Sequence, residues 1–382
     1  MASLGLEIDG NLLGNSRLSA VDGPGGRLSY CGYDLHELAL HATWEEVTYL
    51  LWHNKLPTEA QLADLKQQLA AERALTPAEL AILRTVPLTG HGMDALRTLV
   101  SALGQLRSSE AAGLMRSETL LTEGLRLTAK LPTLLTTWIR LRNGKKPIEP
   151  DPKLSQAANF LLTLHGSPPD EIATQVLDTY MVVLAENGLN ISTFVACVVT
   201  STQNDLFSAI TAAIATLKGL AHGGANEHAM RTFLAIAKPE NAAAQIAAMV
   251  ERKERLMGVG HRVFEVEDPR LRHMRRLSGM LAARPGTDST SHALADAVAK
   301  AVQEHPFFQT RGIYPNVEFY SAPLLYQLGL PVDCFTAAFA CARMPGWIAH
   351  IHEQLANKRL VRPEAAYVGE EKRPFVPLAE RI

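Results

Sequence analysis

The stretch LFSAITAAIATLKGLAHGG, residues 206–224, carries the fold and the first sign of chemistry in one line. Leu206, Ile210, Ile214 and Leu217 recur at steps of three and four, the period of one helix face. Gly219 follows the last of them as the expected stop. The same period returns in Trp44, Val47, Leu50 and Leu51, ended by the turn at 54–57. It returns again over 335–355, where Pro345-Gly346 is expected to bend or restart the helix. Alternating apolar and polar residues are scarce. Their best place is the glycine-punctuated opening, about residues 4–33, where Gly25 to Tyr30 suits a short hairpin. Turn-forming residues gather at 143–152, 166–170 and 283–291, read as loops between helices. The pattern predicts an all-α fold.

With 382 residues the chain has room for one large domain or two modest ones. Its 47% hydrophobic and 20% charged residues describe an ordinary globular protein. A formal net charge of −2 gives no global reason to expect nucleic acid or an anionic membrane as partner. Cys31, Cys197, Cys334 and Cys341 show no Cys-x-x-Cys spacing and read as reduced, mostly buried thiols of a cytoplasmic protein. No apolar run approaches the roughly 20 residues that span a bilayer, and no secretory pattern is seen, so a soluble protein is expected.

Three segments concentrate reactive side chains. PNVEFYS, residues 315–321, sets Glu318 among apolar neighbours, where a carboxylate is paired, perturbed or used. KGLAHGGANEHAM (218–230) holds His222, and GVGHRVFEVEDPR (258–270) holds His261 and Arg270. Two histidines, a carboxylate and an arginine suffice for carbon-acid chemistry on an anionic substrate. Each histidine adjoins glycines, which admit positive φ and close backbone approach, so a cleft position competes with that of a satisfied loop histidine. Arg343 lies in FACARMPGW (339–347), among small and apolar residues. A buried arginine is costly alone, so it is expected to meet either an internal carboxylate or a substrate carboxylate gripped by parallel hydrogen bonds. The run Arg270, Arg272, His273, Arg275 and Arg276 reads as a solvated helix face or as a phosphate or carboxylate site. Phosphate-loop, dinucleotide-loop and serine-nucleophile motifs are missing. His350 and His352, two apart, point to different sides of a helix, so no metal site is expected.

Taken in order, these segments resemble the citrate synthase family, which includes 2-methylcitrate synthases. The resemblance extends to Gly26–Asp34, to TWEEVTYLLW (43–52), to His91-x-Met93-Asp94 and to a C-terminal segment with Arg362-Pro363. It implies a citrate synthase-like fold, with a large helical domain (1–222 and 327–382), a smaller mobile helical domain (223–326) and the active site in the cleft between them. It implies condensation of acetyl-CoA with oxaloacetate, with no tightly bound cofactor. His222 would stabilise the enolate, His261 would polarise the ketone and Glu318 would be the base. Asn187, Arg270 and Arg343 would bind oxaloacetate, as would Arg362 from the other subunit of a homodimer. Gly258, Val259, Gly260, Arg262 and Arg311 would meet CoA. Two positions depart from the family pattern: Glu318 stands where an aspartate is usual, and Asn187 where a histidine is usual. The alternatives are a 2-methylcitrate synthase using propionyl-CoA, and a catalytically weakened paralogue that binds oxaloacetate or CoA as a sensor.

Overall fold

A computed structural model describes residues 14–106, 115–261 and 263–381. Helices dominate, and their starts follow local chemistry. Thr43, Thr58 and Thr76 each form a capping box with the residue three positions on, satisfying amides that a first turn leaves free. Trp44–His53 ends at Asn54, which takes the left-handed conformation (φ 55°) that stops a helix. The glycine-rich opening forms an antiparallel sheet of β1 (Ser19–Asp22), β2 (Arg27–Tyr30) and β3 (Tyr33–Asp34), with Ser19 opposite Tyr30. That agrees with the expected hairpin, except that residues 4–13 lie outside the described residues.

The core is built around the helix Phe335–Asn357, buried along most of its length. It packs on Ser117–Arg142, Glu171–Leu184, Ile191–Ser201 and Trp44–His53. The helix does not restart at Pro345; it continues through it to Asn357. Proline removes the ladder donor for Cys341 O, and two indoles anchor carbonyls of the same turn. Trp44 Nε1 donates to Ala342 O at 3.3 Å and Trp52 Nε1 to Pro345 O at 3.1 Å. Burial on all sides then holds the turn.

A second group, Ala225–Ile236, Ala242–Glu251, Leu271–Ala282, Thr290–Glu304 and Val317–Gln327, packs mainly on itself. Leu271–Ala282 also lies against Glu171–Leu184, and Ala225–Ile236 against Phe335–Asn357. Glu227 ties the groups: its carboxylate meets His91 Nε2 at 2.8 Å and Thr336 Oγ1 at 2.6 Å. No single helix among the described residues is long and apolar enough to cross a membrane.

The helix Leu206–Leu217 has Lys218, still right-handed, as its C-cap, so Gly219 is not a left-handed stop. The chain instead turns tightly, with His222 N donating to Gly219 O at 2.9 Å and Gly224 N to the same oxygen at 3.2 Å. Gly223 and Gly224 serve close packing rather than positive φ. A Cβ on either would sit 2.8 Å from a backbone oxygen, of Leu217 or Lys218.

Candidate active site

Glu318 lies in the first turn of Val317–Gln327, where the positive helix end favours a carboxylate. Its position is fixed by two side chains. Asn316 caps the helix, accepting from Glu318 N at 3.1 Å, and donates to Gly260 O at 2.7 Å. Asp268 accepts from Val317 N at 3.0 Å. The Glu318 carboxylate is met by its own backbone N–H and, among the described residues, lies in no salt bridge. Burial pushes its pKa above the usual range; the Arg270 charge opposes that shift and the Asp268 charge adds to it.

The Gly258–Gly260 loop is laced to the segment before Glu318. Gly260 N donates to Tyr314 O at 2.7 Å, and Asn316 N to Gly258 O at 2.9 Å. Both glycines have positive φ, 81° and 86°, which a side chain would strain. His261 follows, half-buried. Its Nδ1 accepts from Val263 N and Phe264 N, both at 3.0 Å, so the neutral ring must carry its proton on Nε2. Burial, then the Arg270 charge, pushes its pKa down to about 4. Nε2 lies 3.4 Å from Arg270 Nη2. Two donors so close converge on one acceptor position, suited to an oxygen of an anionic ligand.

Arg270 is held by a buried fork. Its Nε and Nη2 donate to Asp268 at 2.9 and 2.7 Å, and its own N–H to the same carboxylate at 3.0 Å. Asp268 therefore sets both the arginine and the start of the Glu318 helix. The Asp-Pro-Arg spacing could have revealed it, yet the sequence reading took only the arginine.

His222 is half-buried, with Nε2 2.9 Å from Ser192 Oγ and accepting from Ser192 N at 3.4 Å. Trp347 Nε1 donates to the same Oγ at 3.2 Å, and Asn190 Oδ1 lies 2.8 Å from it. Ser192 N–H can only donate, so the Nε2 that accepts it leaves the His222 proton on Nδ1. Burial first, then Arg343 and Arg270, drives its pKa to about 3, so the ring is a neutral donor at any ordinary pH. Ser192 lay 30 residues away without a motif to mark it.

Arg343 is buried, and the internal ion pair offered by the sequence does not form: among the described residues no carboxylate lies within salt-bridge distance. Its Nε donates to Leu184 O at 2.6 Å, while Nη2 is buried with no acceptor. Burial lowers its pKa, and Glu186 is the chief opposing influence. Glu186 itself is committed to His350 Nε2, at 2.9 Å, and to Ser19 Oγ, at 2.9 Å. Glu186 Oε2 and Asn187 Oδ1 are also among the buried atoms without a partner. An unpartnered buried guanidinium nitrogen is costly and leaves a place for an acceptor. Arg270 and Arg343 lie near enough for their charges to act on both His222 and Glu318.

The remaining sequence candidates lie elsewhere. Arg362 is exposed in the C-terminal segment, near Glu364 at 3.6 Å, and one chain does not bring it to the cleft. Arg311 is exposed, stacked 4.1 Å from the Phe307 ring centroid. Arg262 lies outside the described residues.

A helical protein that gathers two histidines, two arginines and a buried carboxylate is the class that this fold defines. The model of the citrate synthase C-terminal domain matches residues 5–364. A citrate synthase from Haloferax volcanii is 41% identical over 98% of both chains, and 2-methylcitrate synthase 1 from Corynebacterium glutamicum is 38% identical over 98% of this chain and 97% of its own. Among solved structures, the ternary complex of carboxymethyl coenzyme A and oxaloacetate with the citrate synthase of Thermoplasma acidophilum superposes with a TM-score of 0.91, 28% identity and 98% coverage of both chains. The citrate synthase of Pyrobaculum aerophilum superposes at 0.87, with 36% identity over 97% of this chain and 93% of that one. The chain belongs to the citrate synthase family and is a citrate synthase-type acyltransferase of all-α fold.

Proposed function

We propose that this enzyme condenses acetyl-CoA with oxaloacetate, giving citrate and CoA. The observation that carries the reading is Arg343: a buried guanidinium with an unanswered Nη2, near enough to a desolvated Glu318 for their charges to interact. A dianionic 2-oxo acid supplies what the arginine lacks. Arg270 and Arg343 hold its carboxylates, Asn187 hydrogen-bonds to it, and His261 Nε2–H points at its ketone oxygen.

Glu318 then takes a proton from the thioester α-carbon while His222 Nδ1–H donates to the oxygen that gains charge. Burial raises the affinity of Glu318 for that proton, and a neutral histidine donates without being an acid itself. The carbon attacks the ketone, which becomes an alcohol, and water cleaves the thioester to release CoA. The Gly258-Val259-Gly260 loop, with Arg262 and Arg311, receives the CoA. The acyl-CoA is a co-substrate, and no tightly bound cofactor is needed. Support comes from the Thermoplasma acidophilum relative, whose structure holds oxaloacetate and a CoA derivative.

In this reading residues 223–326 form a mobile domain that closes on 1–222 and 327–382, excluding water. Arg362 reaches the site of the partner in a cytoplasmic homodimer. The exposed apolar residues of the same C-terminal segment, Leu360, Tyr367, Val368 and Phe375, suit burial against a second subunit.

Release of free thiol, followed with acetyl-CoA or propionyl-CoA, with and without oxaloacetate, tests the proposal. Faster turnover with propionyl-CoA would move the assignment to 2-methylcitrate synthase, a reading that the Corynebacterium relative favours. Oxaloacetate binding without turnover would make the protein a sensor. For the base, Glu318→Gln should abolish α-proton exchange and leave oxaloacetate binding intact; surviving exchange would refute its role.

A further inference from the structure

None of the residues assigned to condensation lines a cavity of about 460 Å³ in the second group of helices. It opens between Leu271–Ala282 and Thr290–Glu304, with Tyr320 in its wall. Tyr320 follows Glu318 by two residues, about 200° around a helix, so the cavity is on another side from the cleft. The same offset separates Arg272 from Arg270.

Its charge is strongly one-sided. Arg272, Arg275, Arg276 and Lys300 are opposed only by Glu267 and Asp296, so four cations against two carboxylates leave an excess of two positive charges. Asp296 is already occupied, accepting from Arg275 Nε at 3.0 Å and from Tyr320 Oη at 2.5 Å. Among the described residues Arg272 has no polar partner, and Arg276 donates only to Met280 Sδ, at 3.4 Å. Lys300 has only a long contact of 3.9 Å to Glu304. Burial lowers the pKa of His292, against the pull of Asp296 3.7 Å from Nε2, and its Nδ1 meets Ser278 Oγ at 3.0 Å.

Geometry selects the kind of anion. Arg272, Arg275 and Arg276 stand at i, i+3 and i+4 on one helix, neighbours about 5–6 Å apart at Cβ. That spacing suits linked phosphates, each taking a planar guanidinium, with Lys300 facing them from the other wall. The volume is within the roughly 300–1,000 Å³ range of small-molecule sites.

We propose that this cavity binds a polyphosphate group, two or three linked phosphates, at a site separate from the catalytic cleft. The inference does not depend on the condensation reading, because its test measures binding and not turnover. Titration calorimetry on the full chain uses inorganic tripolyphosphate in one arm and ATP in the other, each with and without saturating CoA. One site per chain is expected, weakening as salt rises and unaffected by CoA. Arg272→Gln/Arg276→Gln should weaken it at least about tenfold, the loss of charge-assisted contacts, as should Lys300→Glu from the opposite wall. All three residues are exposed, so these variants should fold. ATP binding more tightly than tripolyphosphate would add nucleoside recognition to the site; equal affinities would confine recognition to phosphate. No binding of either probe, unchanged affinity in the variants, or displacement by CoA would overturn the proposal.

Discussion

Replacing Asp268 by asparagine keeps shape and volume but removes a charge on which two parts of the cleft depend. Asp268 accepts four hydrogen bonds: from Arg270 N at 3.0 Å, Nε at 2.9 Å and Nη2 at 2.7 Å, and from Val317 N at 3.0 Å. Each oxygen takes two donors. An amide has one oxygen, so in either orientation its NH₂ group faces two donors and their bonds are lost. Arg270 also keeps its charge in a buried setting, with relative exposures of 2% and 1% for the pair. Removing one partner of such a pair costs about 3–5 kcal/mol. A domain of ordinary stability has about 5–15 kcal/mol to lose. Urea unfolding of the wild type and Asp268→Asn should show the midpoint falling with an unchanged slope. Activity should fall as well, since a displacement near 1 Å of Arg270 or the Glu318 helix costs about a hundredfold. A stability change below about 1 kcal/mol would refute the reasoning, because it would mean that Arg270 is solvated or paired elsewhere. Asp268 also has a depressed pKa, so its contribution is present above the unfolded value near 4 and is lost as the pH falls through the folded one.

Arg343→Leu should leave the ligand-free protein within about 2 kcal/mol of wild type, or stabilise it, because the arginine is buried without an ionic partner. Oxaloacetate affinity, read by calorimetry, should drop about a hundredfold, the worth of two charge-assisted hydrogen bonds; a large loss of stability with binding retained would contradict this. The histidines give a pH signature. With folded values of about 3 for His222 and about 4 for His261, both below the unfolded 6.5, their contribution is present above pH 6.5. It is lost on acidification by up to about 1.4 kcal/mol per pH unit for each, which unfolding at a series of pH values would reveal. Between pH 6 and 8, ring NMR resonances of both should stay at their neutral positions.

Much of this protein is legible from residue order. Helix faces, capping threonines and the glycine-rich hairpin depend on neighbours within a few positions, and so did the motifs around His222, His261 and Glu318. Tertiary structure decided what those groups are. Ser192 and Trp347 orient His222, while burial beside two arginines keeps it neutral; none of this is local in the chain. Arg343 had two possible fates in the sequence, ion pair or ligand, and only the commitment of Glu186 to His350 and Ser19 left it unpaired. Pro345 shows the converse, since the local tendency to restart the helix gave way to a packed core. Short-range order sets which conformations and motifs are available. Desolvation, charge and hydrogen-bond competition arise only when distant segments share a volume, and they determine which of those groups are free to react.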